Sequence, residues 1–257
     1  MGSFHFQRFS VRQASSGMKV CTDATLFGAM APVAGGERVL DIGAGSGVLA
    51  LMAMQLGADS VDAVELSADA CQDAGFNFAQ SPWASRMRLI HGAIQEYPAQ
   101  CDRRYDLIIS NPPFFQQHSR NRDERRRLAR HSDRLPHPEL VDIAARMLVP
   151  EGTLYLLIPC HALAPLLVAA REKGLFPVQR CYFAPFHGRP AKVLALTLRR
   201  QAQPFVDRCL VIYNAPRDYS ATSARYLTPF LLRFAEAASA KAAVASRRGS
   251  HPGHPTG

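Results

Sequence analysis

The sequence predicts an α/β fold: a mostly parallel sheet with helices on both faces and an antiparallel edge hairpin. Three observations predict it. Between residues 37 and 174, short apolar runs alternate with longer segments of helical periodicity, the pattern of parallel strands joined by crossover helices. From 176 to 200, two β-rich runs are separated only by HGRP at 187–190, too short for a crossover helix, so they pair antiparallel. The length of 257 residues, 47 % of them hydrophobic, supplies a full core for one α/β domain.

The elements follow in order. After an N-terminal segment, ERVLDIG (37–43) reads as a buried strand, then a Gly-rich turn leads into helical VLALMAMQLG (48–57). SVDAVELS (60–67) is a second strand and ADACQDAGFNFAQ (68–80) a second helix. RMRLIHGAI (86–94) and YDLIISNPPF (105–114) are the third and fourth strands. HPELVDIAARMLVP (137–150) is a helix stopped by Gly152, TLYLLIP (153–159) a fifth strand, and ALAPLLVAAREKG (162–174) a further helix. FPVQRCYFAPF (176–186) and AKVLALTLRR (191–200) make the hairpin, RCLVIYN (208–214) another strand, and residues 223–243 a last helix. The expected organisation is one domain over 1–235, then a helix end and a disordered basic tail over 236–257 with little to bury.

A formal net charge of +9 with histidines neutral points to an acidic partner, either nucleic acid or a membrane surface. No apolar run approaches the ~18 residues of a membrane span, and MGSFHFQRFSVRQ has no apolar signal core. Nucleic acid is therefore the expected partner, with no membrane. The six cysteines show no C-x-x-C pair or zinc spacing and the nine histidines no metal spacing, so reduced thiols, a cytoplasmic location and no metal are expected.

VLDIGAGSG places Gly43, Gly45 and Gly47 in a strand-to-helix turn, where residues without Cβ let backbone approach a ligand. The spacing is G-x-G-x-G, not the G-x-G-x-x-G of pyrophosphate binders. Asp41 precedes the loop; Glu65 ends the next strand, where a carboxylate can accept both hydroxyls of a ribose, with Leu66 beside it. LIISNPPFFQQ (107–117) ends an apolar run in Asn111, Pro112, Pro113 and Phe114. Two prolines cannot extend the strand, so the turn stiffly presents an amide, backbone carbonyls and an aromatic face. SRNRDERRRLARHSDR (119–134) carries seven arginines against three acidic residues. On a helix, Arg122, Arg126 and Arg130 would share one face and meet phosphates, the bland alternative being a solvated charged helix.

VLDIGAGSG followed by DAVELS resembles the class I S-adenosylmethionine-dependent methyltransferases, whose fold is Rossmann-like and whose sheet carries such a hairpin. The resemblance implies S-adenosyl-L-methionine as cofactor, with Asp41 and the glycines along its methionine portion and Glu65 on its ribose. HGAIQE (91–96) has Ala93 where Asp is common in the family, and Ile94 would rest on adenine. NPPF would hold an amine conjugated to a ring: the Asn111 side-chain oxygen and Pro112 carbonyl each accept an N–H, and Phe114 supplies a stacking face. Similar turns serve adenine N6, guanine N2 and glutamine amides. MKVCTDATLFGAMAPV (18–33), QSPWASRM (80–87), DLIISNPPFFQQ (106–117) and RLARHSDRLPHPEL (127–140) together resemble the bacterial tRNA1(Val) adenosine-37 N6-methyltransferases over roughly 4–234. That implies N6-methylation of an unpaired adenine in a tRNA anticodon loop, with Lys19 and Thr22 beside the cofactor. Alternatives are guanine-N2 methylation of rRNA, and an RNA-binding module with a non-catalytic cofactor fold.

Overall fold

Phe4, Phe6 and Phe9 give the first residues something to bury, and they fold as an antiparallel hairpin of β1 (Ser3–His5) and β2 (Ser10–Arg12). The Phe6 and Phe9 rings stack at 4.5 Å. The computed structural model describes residues 2–15, 19–112 and 135–235. After helix α1 (Thr22–Ala29) come β3 (Arg38–Ile42), α2 (Val48–Leu56), β4 (Ser60–Glu65), α3 (Ala68–Ala79), β5 (Met87–His91), the short α4 (Tyr97–Gln100) and β6 (Tyr105–Ser110). Next are α5 (His137–Met147), β7 (Leu148–Pro159), α6 (Leu163–Glu172), β8 (Phe176–Phe186), β9 (Val193–Arg199), β10 (Val206–Ala215), β11 (Asp218–Tyr219) and α7 (Ala221–Leu227).

Nine strands form one sheet in the order β11-β10-β8-β9-β7-β6-β3-β4-β5. β5, β4, β3, β6 and β7 are parallel, and β9 is antiparallel to both β7 and β8. Both faces are buried, so adjacent residues of one strand serve opposite cores. Leu107, Ile109, Tyr155 and Leu157 join the core with α1, α2 and α3, whereas Ile108, Leu154, Leu156 and Ile158 join the core with α5 and α6. At the N-terminal end of these strands, Asp62 accepts from Arg88 Nη2 at 2.9 Å and from the Tyr105 hydroxyl at 2.6 Å, tying β4, β5 and β6 together.

Three expectations need correction. The hairpin is present but is not the sheet's edge, because β10 pairs parallel to β8 beyond it and buries Leu210 and Ile212. The helix expected over 137–150 ends at Met147: Pro150 disfavours helix at its predecessor, and Leu148 already pairs with Tyr105. The last helix does not start a single run to 243. α7 ends at Leu227, before Pro229, whose ring cannot sit inside a helix, and residues beyond 235 lie outside the described ones. No helix among the described residues is long and apolar enough to cross a membrane.

Candidate active site

The glycine loop joins β3 to α2 with Gly43 at φ 74°, Gly45 at φ 57° and Gly47 at φ 81°, left-handed positions that cost other residues about 1–2 kcal/mol. A Cβ on Gly43 or Gly45 would point into open space, whereas one on Gly47 would lie 2.4 Å from the Phe78 ring. The first two glycines thus shape a cradle. Gly47 admits the α3 ring beneath it, a packing role that the sequence does not announce. The loop is pinned at the sheet, Gly43 and Ala44 N–H donating to the Val64 carbonyl at 2.9 and 3.2 Å.

Glu65 ends β4 with 9 % exposure. Its Oε2 accepts from Gly45 N–H and its Oε1 from Ser67 N–H, both at 2.8 Å. An ionised carboxylate has about four acceptor sites, so the side chain is oriented by the loop and still has capacity for hydroxyls. Asp41 lies beneath the loop, fully buried. Its Oδ2 accepts from Ala50 N–H in the first turn of α2 at 3.1 Å, and its Oδ1 has no partner among the described residues. Burial pushes this carboxyl up to about 7, against the opposing Ala50 bond, with neighbouring Glu65 adding to the rise.

Asn111 follows β6 directly. Ser110 is the register partner of Ile42 and its hydroxyl donates to the Ile42 carbonyl at 2.7 Å. Gly43 and Asn111 therefore leave adjacent strand ends, roughly 5 Å apart. Asn111 Oδ1 is buried with no hydrogen-bond partner among the described residues, a condition that costs about 1–3 kcal/mol unless a ligand relieves it. Pro112, next in the chain, is buried. Pro113, Phe114, Arg122, Arg126 and Arg130 lie outside the described residues.

The remaining candidates divide. Leu66 and Ala93 are half-buried at the ends of β4 and β5, and Gly92 N–H donates to the Glu65 carbonyl at 3.0 Å, holding those ends together. Ile94 is 5 % exposed and belongs to the core with Tyr97, Val64 and Leu140. Lys19 is exposed, its Nζ donating to the Gln13 carbonyl. Thr22 is the first residue of α1, and its hydroxyl hydrogen-bonds the Tyr213 hydroxyl at 2.7 Å.

Helix α3 supports the glycine loop through two buried polar residues that have no local motif. Asn77 Nδ2 donates to the carbonyls of Ser46, inside the glycine loop, and Arg12, both at 2.9 Å, while its Oδ1 accepts from Arg12 N–H at 2.7 Å. One turn earlier, fully buried Asp73 pairs with Arg12 Nε at 2.9 Å and accepts from Ser15 N–H at 2.8 Å. The signal was present: Asp73 and Asn77 are polar residues four apart on the Ala70–Ala74–Phe78 stripe, where a buried polar group demands partners.

At the C-terminal ends of β3, β4 and β6 the chain thus offers an open glycine cradle, an oriented carboxylate and two buried unpartnered oxygens, on Asp41 and Asn111. That space and those acceptors fit S-adenosyl-L-methionine, whose hydroxyls would donate to Glu65 and whose cationic end would face the buried oxygens. No group of three or more His, Cys, Asp or Glu placed to hold a metal occurs among the described residues.

Residues 19–168 match the family described as methyltransferase small domain. A Dyadobacter fermentans protein named tRNA1(Val) (adenine(37)-N6)-methyltransferase is 45 % identical over 238 residues, 90 % of this chain and 98 % of that protein. A protein of the same name from Tolumonas auensis is 37 % identical over 233 residues, 90 % and 97 % of the two chains. Among solved structures, a predicted O-methyltransferase of Agrobacterium tumefaciens aligns with a TM-score of 0.61 at 17 % identity, over 79 % of this chain and 94 % of that one. A methyltransferase of Pyrococcus furiosus aligns at 0.56 and 18 % identity, over 76 % and 90 %. Those two likenesses speak for the fold alone, the Rossmann-like class I methyltransferase fold.

Proposed function

The chain belongs to the family of tRNA1(Val) (adenine(37)-N6)-methyltransferases, and we propose that it methylates N6 of adenine 37 in that tRNA, with S-adenosyl-L-methionine as methyl donor. The observation that carries the proposal is the buried, unpartnered Oδ1 of Asn111 at the end of β6, beside the glycine cradle. An oxygen held dry and unsatisfied by neighbouring strands is an acceptor awaiting a ligand's N–H.

The cofactor supplies an electrophilic methyl on a sulfonium. The chain's own residues do the rest. Glu65 and the Gly43–Gly45 cradle bind and orient the donor. Asn111 Oδ1 and the Pro112 carbonyl each accept one N–H of the exocyclic amine. Two acceptors at those hydrogens draw the nitrogen toward tetrahedral geometry and aim its lone pair, so catalysis rests on positioning and preorganised dipoles. No strong general base is required, because the methylated ammonium is acidic and sheds its proton afterwards. Phe114 stacks on the base, and Arg122, Arg126 and Arg130 contribute phosphate contacts. We place the enzyme in the cytoplasm, where its substrate is made.

The test is single-turnover transfer to tRNA1(Val) transcripts, with mass spectrometry of the modified nucleoside. Wild type should yield N6-methyladenine at position 37 and none when that adenine is replaced by guanine. Asn111→Ala should lower the transfer rate by about 10²-fold or more, with a smaller change in cofactor affinity. Normal transfer by that variant would remove the amine-orienting role; N2-methylguanine as product would overturn the substrate assignment.

A further inference from the structure

We infer that the sheet extension beyond the hairpin is a second RNA-binding surface, on which β10, β11 and the adjoining turns hold unpaired nucleotides flanking the reacting adenine. This rests on the RNA substrate proposed above.

Topology puts the extension on the correct rim. Pro159 at the end of β7 pairs with Val193, Val193 with Phe183, and Phe186 with Tyr213. These positions all lie at the end of the sheet that carries Asn111. Cys160 N–H donates to the Lys192 carbonyl at 2.9 Å, fastening the hairpin to the end of β7. From β6 to β10 is four inter-strand spacings, roughly 19 Å, the reach of a few nucleotides. The Thr22–Tyr213 bond joins the extension to α1, whose Phe27 stacks on Tyr155 of β7 at 4.3 Å. The rim is continuous.

Its chemistry suits single-stranded RNA. Tyr213 and Tyr219, both partly exposed, stack at 4.9 Å with 24° between planes, and the Arg233 guanidinium lies 5.2 Å over Tyr219. Arg189 and Lys192 are exposed in the hairpin turn and Arg217 in the β10–β11 turn. None of these four cations makes an ion pair with a described residue. Two carboxylates lie near: Asp218 accepts from Asn214 Nδ2 at 3.3 Å, and Asp23 is held up by burial within α1. The balance is cationic. Arg217 is the one non-glycine residue at positive φ among those described, 67°, and its carbonyl accepts from Arg233 Nη1 at 3.3 Å. That strained turn holds two guanidinium-bearing residues together beside an aromatic face, with no carboxylate pairing them. Strain of this kind collects at ligand sites, and aromatic faces beside unpaired cations hold bases and phosphates without reading sequence.

The test compares wild type with Arg189→Gln/Lys192→Gln/Arg217→Gln and with Arg217→Gln alone, using full-length chain and unmodified tRNA1(Val) transcript. The triple variant should bind RNA about tenfold or more weakly near 0.1 M salt. Its log–log salt slope should be shallower by about 0.7 unit per lost contact, roughly two units in all. Cofactor affinity should hold, KM for tRNA should rise and kcat at saturating RNA should fall less than about threefold. Arg217→Gln should give a third of the slope change. An unchanged slope and KM in both variants would overturn the surface while leaving the methylation proposal intact. If wild type binds tRNA with a slope the triple variant loses, yet forms no N6-methyladenine, the surface stands and the activity proposal falls. Absence of RNA binding by wild type would overturn both.

Discussion

Asp41 shows how one side chain sets a pH dependence. Its folded carboxyl titrates near 7 because it is fully buried, against about 3.9 in an unfolded chain. Between those values the folded state keeps a proton the unfolded state has lost, so stability falls as pH rises from about 4 to 7. Below about 4 there is no penalty; above about 7 it is complete, on the order of 4 kcal/mol. Asp41→Asn retains an acceptor for Ala50 N–H and removes the titration. The cofactor-free variant should be more stable than wild type at pH 8, with the gap closing toward pH 4, while its cofactor affinity falls for want of a charge. Urea unfolding at pH 4.5 and 8 measures the first effect and calorimetry the second. Equal pH profiles for the two proteins would mean that Asp41 is ionised throughout.

At the scale of elements, the glycine loop depends on α3 as much as on its own sequence. Gly47→Ala puts a left-handed Cβ against the Phe78 ring, combining about 1–2 kcal/mol of backbone cost with about 1–3 of overpacking. The variant should melt several degrees lower, and Phe78→Leu should restore part of the loss in the double variant. Simple additivity in that cycle would show that the ring does not meet the new methyl. G-x-G-x-G was legible as a strand-to-helix turn, and Glu65 and Asn111 as residues at strand ends, because loop, strand end and proline stop are local signals. The distinction between cradle glycines and a packing glycine was not, since it depends on a ring thirty-one residues away. Strand β10 was legible as a strand from alternating Leu210 and Ile212, yet its place beyond β8 was hidden, because pairing partners are long-range choices. The stop of the last helix, by contrast, is a local signal, because Pro229 follows two residues after Leu227. The aromatic rim at Tyr213 and Tyr219 had no local signature, since it is assembled by strand order.

For the whole molecule, the N-terminal hairpin is a brace between distant parts. Arg12 and Ser15 meet buried Asp73, and Arg12 meets Asn77, which holds the glycine loop at Ser46. Removing residues 1–15 would take Arg12 from Asp73, expose the core face that Phe6, Phe9 and Val11 bury, and release Asn77, which holds the glycine loop. The truncated protein should melt markedly lower and bind S-adenosyl-L-methionine more weakly by calorimetry. Unchanged binding would assign the brace to stability alone.

The same brace reaches the other end of the described chain. Gln7 N–H donates to the Phe230 carbonyl at 2.8 Å, its side chain donates to the Thr228 and Leu231 carbonyls at 2.7 and 2.9 Å, and Phe6 bridges Leu231. On a translating ribosome these partners are made more than two hundred residues after Gln7. At ~5–20 residues per second, that is on the order of ten to forty seconds later. The nascent chain can assemble the strands and the glycine loop in that interval, but the brace closes only when residues near 230 emerge. The contacts with residues 228–231 are thus the last part of the brace to form, after the contacts of Arg12 with Asp73 and Asn77 that reach the glycine loop.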